Sequence, residues 1–152
     1  MYHQALTYGG FMIGLSLQLT YPLFAMFLLS AIVLIAMFKT RVRAVKAGQI
    51  KVGYFKTYEG SNIPEDVIKT ARHFSNLFEA PILFYVLCLL GMILGIDSQL
   101  FLTLAWCYVA ARALHAYIHI GLNKISIRMY VYALSWLIMV AMWIVLLYRV
   151  IV

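Results

Sequence analysis

The chain has 152 residues, of which 65% are hydrophobic and 11% charged, against roughly 45–50% and about 25% in soluble domains. With a mean hydropathy of +0.93 there is too little polar sequence to coat an aqueous surface, which excludes an ordinary soluble protein. Lys and Arg number 12 against 5 Asp and Glu, a net charge of +7; in so apolar a chain this excess reads as membrane topology, and no basic tail or motif argues for nucleic-acid binding.

The N-terminal stretch Ala5 to Gln18 is apolar but interrupted by Gly9, Gly10, Gly14 and Gln18, with no basic region before it that would mark a cleavable signal. It reads as an interfacial lead-in or an early start of the first helix, and His3 as part of a solvated terminus. Runs long enough to cross a bilayer, which takes roughly 20 residues, follow at Leu19–Phe38, Leu77–Ile96, Leu100–Ile120 and Met129–Tyr148. Thr20 ahead of Pro22 resembles an N-cap with Pro near N1. Pro64 ahead of Glu65 and Asp66 gives a second helix start well before the membrane. Gly95 with Asp97 and Ser98 predicts a tight turn between the second and third spans, and Gly121 a break after the third. The expectation is an all-α integral membrane protein: one domain over residues 1–152, an up-and-down bundle of four transmembrane helices, with a single sizeable connection at Thr40–Ile63.

Eight basic residues (Lys39, Arg41, Arg43, Lys46, Lys51, Lys56, Lys69 and Arg72) lie between the first two spans, and Lys124 and Arg128 lie between the last two. Arg149 alone sits at the opposite ends. The positive-inside rule then makes 39–76 and 121–128 cytoplasmic and leaves both termini outside. The compact chain is read as a bacterial inner-membrane protein with membrane lipids around it. Cys88 and Cys107 fall inside apolar runs without a CxxC or a His at ligand spacing, so both read as small core residues rather than disulfide or metal ligands. The tryptophans and most tyrosines read as interfacial belt or lipid-facing packing, and the methionines as span filler.

Ionisable groups in a membrane helix cost about 2.5–3.5 kcal/mol at its centre on insertion scales, so each is a functional candidate by default. Here they are patterned. Arg72, Asn76 and Glu79 stand at i, i+4 and i+7 in the second helix; Arg112, His115 and His119 at i, i+3 and i+7 in the third; Arg128, Tyr132 and Ser135 at i, i+4 and i+7 in the fourth. Arg41 and Arg43 end the first. Singly, these read as snorkelling cations or interhelical polar contacts. Together, four arginines with one Glu at a common depth form a mostly cationic pocket suited to an anionic ligand with a polar body. Tyr108, four residues before Arg112, is the one aromatic added to that pocket.

At this point the residues resemble the family of membrane-associated proteins in eicosanoid and glutathione metabolism, MAPEG, which includes microsomal glutathione transferases, leukotriene C synthases and the microsomal prostaglandin E synthase. ARHFSNLFEAP (Ala71–Pro81) resembles the helix-two signature, Arg, Asn four later, Glu three after that, then a kinking Pro. ARALHAYIHIGLNKISIRMYVY (Ala111–Tyr132) resembles the end of helix three and the start of helix four, and RVR (41–43) is similar to the basic end of helix one. The resemblance implies a homotrimer with glutathione as co-substrate between neighbouring subunits, and a lipophilic small-molecule substrate reaching it from the bilayer. It places the catalytic arginine at Arg128, beside the glutathione sulfur, and glutathione contacts at Arg41, Arg72, Asn76, Glu79, His115 and Tyr132, with Arg43, Tyr108, Arg112 and His119 as further candidates. A fixed positive charge in a low-dielectric setting favours thiolate over thiol, for which a free cysteine needs about pH 8.5.

Departures accompany the matches. Pro81 follows Glu79 by two residues rather than three, Met129 replaces a Ser after the catalytic Arg, Ser75 replaces a basic contact and His119 a Tyr. The implied activity is glutathione transfer or peroxide reduction, without metal; the departures speak against prostaglandin isomerisation. The alternative is a non-catalytic lipid- or anion-binding protein of the same fold. A more remote one is a b-type haem protein using His73, His115 and His119.

Overall fold

The computed structural model describes residues 16–60 and 62–151. The expectations for His3 and for Ala5 onward fall outside them, apart from the last residues of the lead-in. Those residues settle the point for the stretch they cover: helical turns start at Ser16 and run into α1 (Thr20–Lys46), with Leu19 itself in right-handed helical conformation. Thr20 therefore caps nothing, and Pro22 is simply accommodated in the helix's first turns, where few backbone bonds are lost. The remaining helices are α2 (Tyr54–Thr57), α3 (Glu65–Asn76), α4 (Ala80–Ile93), α5 (Gln99–Tyr117) and α6 (Ile125–Ile151). Among the described residues, four helical segments are long and apolar enough to cross a membrane: Ser16–Lys46, Glu65–Ile93, Gln99–Leu122 and Ile125–Ile151.

α1 runs past Phe38 to Lys46 because its buried stripe continues. Pro22, Met26, Val33, Met37, Thr40 and Ala44 recur at helical spacing on one face. The last of these pack against α3, where Thr40 Oγ1 and Thr70 Oγ1 lie 3.0 Å apart in a hydrogen bond between the helices. Beside them Ala44, Ile50 and Val67, with Tyr54, Phe55 and Ile63 against them, form a small second core that seats the connecting loop.

The second span is jointed rather than kinked. Pro81 has no N–H and its ring crowds the carbonyl four residues earlier, at Leu77. Leu77–Glu79 accordingly leave the helix as a tight turn, with Glu79 at φ −98°, ψ −95°, and α4 restarts at Ala80 with Pro81 in its first turn. α4 then closes on Gly95 at φ +62°, where Ile96 N–H donates to the Gly91 carbonyl at 2.8 Å, a Schellman turn. Ser98 caps α5 by accepting from Phe101 N–H at 3.3 Å. Both ends of that connection are as the sequence predicts. After α5 the break falls elsewhere than Gly121. A π-helical turn, Ile118–Leu122, carries the chain on, and Asn123 takes the left-handed position at φ +48°, its N–H bonded to Ile118 O at 2.7 Å. Asn tolerates that conformation through its short polar side chain.

α5 is the central helix: 56% of an apolar 18-residue stretch of its span is buried, against 22% of the corresponding stretch in the first span and 28% in the last. It packs on α6 and α1, while α1 also packs on α3 and α4 on α6. Phe84, Leu87, Phe101, Ala105, Met139 and Met142 fill the middle of the bundle. The outer helices expose large apolar side chains such as Phe24, Phe27, Ile32, Leu137 and Ile144, a surface fit for lipid or a second subunit and not for water.

Candidate functional site

The site is built where α3 ends, α5 ends and α6 begins, at the end of the bundle that carries the loop seated by Ile50 and Val67. Arg112 is fully buried one turn before the end of α5. It donates through Nη2 to Asn76, at Oδ1 in a short bond and at the backbone oxygen at 3.4 Å. Asn76 in turn donates to Glu79 Oε2 at 3.2 Å. Arg112, Asn76 and Glu79 thus form a chain of polar contacts across the joint in the second span. The Arg112 guanidinium also lies over the Tyr132 ring, 5.7 Å from its centroid, and its Nε and Nη1 have no partner. Buried donors without acceptors are uncommon in folded proteins.

Arg128 lies in the first turn of α6. Its Nη1 donates to Asn123 Oδ1 at 3.0 Å and faces His119 Nε2 at 3.5 Å. A cavity of about 230 Å³ lies between Asn76, His115, His119, Arg128, Met129 and Tyr132. Five residues singled out in the sequence therefore surround one space: Arg128, Asn76, His115, Tyr132 and His119. Glu79 and Arg112 touch it through Asn76.

The others lie elsewhere. Arg41 and Arg72 line a different groove of about 330 Å³ with Tyr54, Phe55 and Tyr58. The Arg41 guanidinium stacks on Phe55 at 5.3 Å and Tyr58 at 5.5 Å. Arg43 is exposed and paired with Asp66 at 2.9 Å. Tyr108 is buried against Phe84, with ring centroids 4.4 Å apart, and its hydroxyl has no partner; it belongs to the core below the cavity and not to the cavity wall.

Two residues outside the glutathione set expected from the sequence take part. Asn123, which also ends the π-turn, holds Arg128. His73 is fully buried and fills the space behind the cavity, its ring 5.3 Å from His115 and 5.0 Å from His119. The sequence groups these three histidines only as candidate haem ligands; the structure packs their rings against one another. Rings packed this closely leave no gap for a macrocycle, so the arrangement does not fit haem ligation. Among the described residues, no group of three or more His, Cys, Asp or Glu side chains has the geometry to hold a metal ion.

Four apolar membrane-crossing helices with buried cationic and polar groups gathered at one end define an integral membrane protein with an intramembrane polar site. The MAPEG family profile matches residues 19–148, and the chain belongs to that family. The family is associated with glutathione and with transferase, peroxidase and eicosanoid-type chemistry. The match takes in α1 through nearly all of α6, and so every residue of the cavity. No curated protein matches the chain, and no solved structure does.

Proposed function

We propose that this protein is a glutathione-dependent membrane transferase or peroxidase that presents the glutathione thiolate to a lipophilic electrophile or lipid hydroperoxide. The observation that carries this reading is Arg128 at the wall of a polar cavity, with Asn76, His119 and Tyr132 around the same space. The donor set suits the ligand. Arginine side chains match carboxylates, Glu79 matches an ammonium, and the Asn76 amide and Tyr132 hydroxyl match peptide groups. Arg128 stabilises the sulfur anion by its fixed charge, and a nearby acceptor must take the thiol proton.

In this reading the active form is a homotrimer of single-domain subunits in a bacterial inner membrane, with the loop end of the bundle on the cytoplasmic side. Arg41 and Arg72, which line a groove separate from the Arg128 cavity, then serve a site completed by a neighbouring subunit. The test is a titration of the detergent-purified protein with glutathione, following thiolate by ultraviolet absorbance, for wild type and Arg128→Ala. A saturable signal lost in the variant is the expected result. No signal at high glutathione in the wild type overturns the reading.

The same separation of Arg41 and Arg72 from the cavity favours a second reading, a non-catalytic protein that binds an anionic lipid headgroup in that groove. Native mass spectrometry showing a retained lipid that glutathione does not displace would select it.

A further inference from the structure

Among the polar groups around the cavity, His119 is the one whose imidazole nitrogen faces Arg128, the residue that the glutathione reading puts beside the sulfur. Arginine only donates, so the His119 Nε2 that faces Arg128 Nη1 at 3.5 Å is the unprotonated nitrogen, and the ring hydrogen sits on Nδ1, which is buried and without a partner. The ring cannot turn freely. His73 from α3 packs against it at 5.0 Å, and His115 from α5 meets it edge-on at 5.6 Å. The π-turn places His119 beside the first turn of α6, where a regular helical continuation of α5 would direct it differently.

We propose that His119 is the proton acceptor for the glutathione thiol, with His73 and His115 as positioning residues for its ring. This rests on the glutathione reading above. In the step, the Arg128 N–H turns from Nε2 to the sulfur, the S–H bond breaks, the proton passes to the freed Nε2 lone pair to give an imidazolium, and the electron pair stays on sulfur. The thiolate then lies between two cations, Arg128 and the new imidazolium, as in thiolate–imidazolium pairs of cysteine enzymes. When the sulfur pair forms its bond to an electrophilic carbon, the leaving group departs with its own pair, and the imidazolium returns the proton to it or to water. The charged and titratable groups facing His119 are Arg128 from α6, His115 from α5, and His73 from α3, with Arg72 and Lys69 of α3 acting from further away.

The experiment uses the full-length protein in detergent as wild type, His119→Gln and His119→Tyr, with glutathione affinity from calorimetry and thiolate formation from absorbance across pH. Gln keeps polarity without accepting a proton at neutral pH. We expect it to bind glutathione within about threefold of wild type while the thiolate midpoint rises by about one unit or more toward the ~8.5 of a free thiol. The Tyr variant, which keeps a ring against His73, should behave likewise. An unchanged midpoint in a variant that still binds overturns the assignment, and so does loss of binding in both variants, which would make His119 a contact residue only. A wild type that binds no glutathione overturns the parent reading instead, and this one with it.

Discussion

The middle of the bundle and the end that holds the cavity are assembled on different principles. Around Phe84, Leu87, Phe101 and Met142 the helices meet through apolar side chains alone, all buried and close-packed. Gly91 is there because nothing larger fits: a Cβ would stand 2.7 Å from the Phe101 ring and 3.1 Å from Leu19 Cδ1. At the cavity end, equally buried positions are given to Arg112, His73, His115 and His119, several of whose nitrogens have no partner. An apolar interior is complete in itself. A buried guanidinium or imidazole with an unmet hydrogen-bonding group is costly unless something else meets it, and the end of the protein where stability is given up is the end that holds the cavity.

The comparison is broken most severely at Arg128. Replacing it by Ala should lower glutathione-dependent turnover by about a hundredfold or more, the usual cost of deleting one anion-stabilising group, while the thermal transition moves little; turnover and melting measured on the same preparation decide it. His119→Gln follows, with its raised thiolate midpoint. In the apolar half the effect reverses in kind. Gly91→Val should destabilise by about 1–3 kcal/mol through overpacking against Phe101, read as a lower melting temperature with glutathione affinity kept.

Tyr108 tests the border between the halves. Its hydroxyl is buried and unpartnered, so Tyr108→Phe should be neutral or stabilising by about 1 kcal/mol; a loss of stability or of glutathione affinity would show that the hydroxyl faces the site after all. The smallest effect belongs to the exposed Arg43–Asp66 pair. Asp66→Ala should change stability by less than about 1 kcal/mol, and less at high salt; a larger loss would mean that the loop end depends on this contact.

The four crossing segments were legible because long apolar runs have few alternative structures, and the Gly95–Ser98 turn because its residues fit one turn geometry. The polar triplets on the second, third and fourth spans were legible from helical spacing, and Asn76, His115, His119, Arg128 and Tyr132 do converge. Spacing along one helix says nothing about which neighbour it meets, however. His73 lies on the same helix as Asn76, yet its partners come from α5 and the π-turn, more than forty residues on. Arg41 and Arg72 line a separate groove, in which Arg41 stacks on Phe55 and Tyr58. Asn123 is not legible because the nearby Gly121 carries the stronger sequence signal for a break.

Across an apolar 18-residue stretch, the first and last spans bury only 22% and 28% of their residues inside the subunit. Most of what each of these helices touches is therefore supplied from outside, by acyl chains, detergent or a second copy of the chain. In lipid the association of helices gains little from the hydrophobic effect and depends on packing and polar contacts, so a subunit with two thinly embedded outer helices has no folding free energy of its own to be quoted. Any melting temperature measured for it belongs jointly to the polypeptide and its amphiphile, and changes with the solvent as that of a ligand-bound protein changes with its ligand.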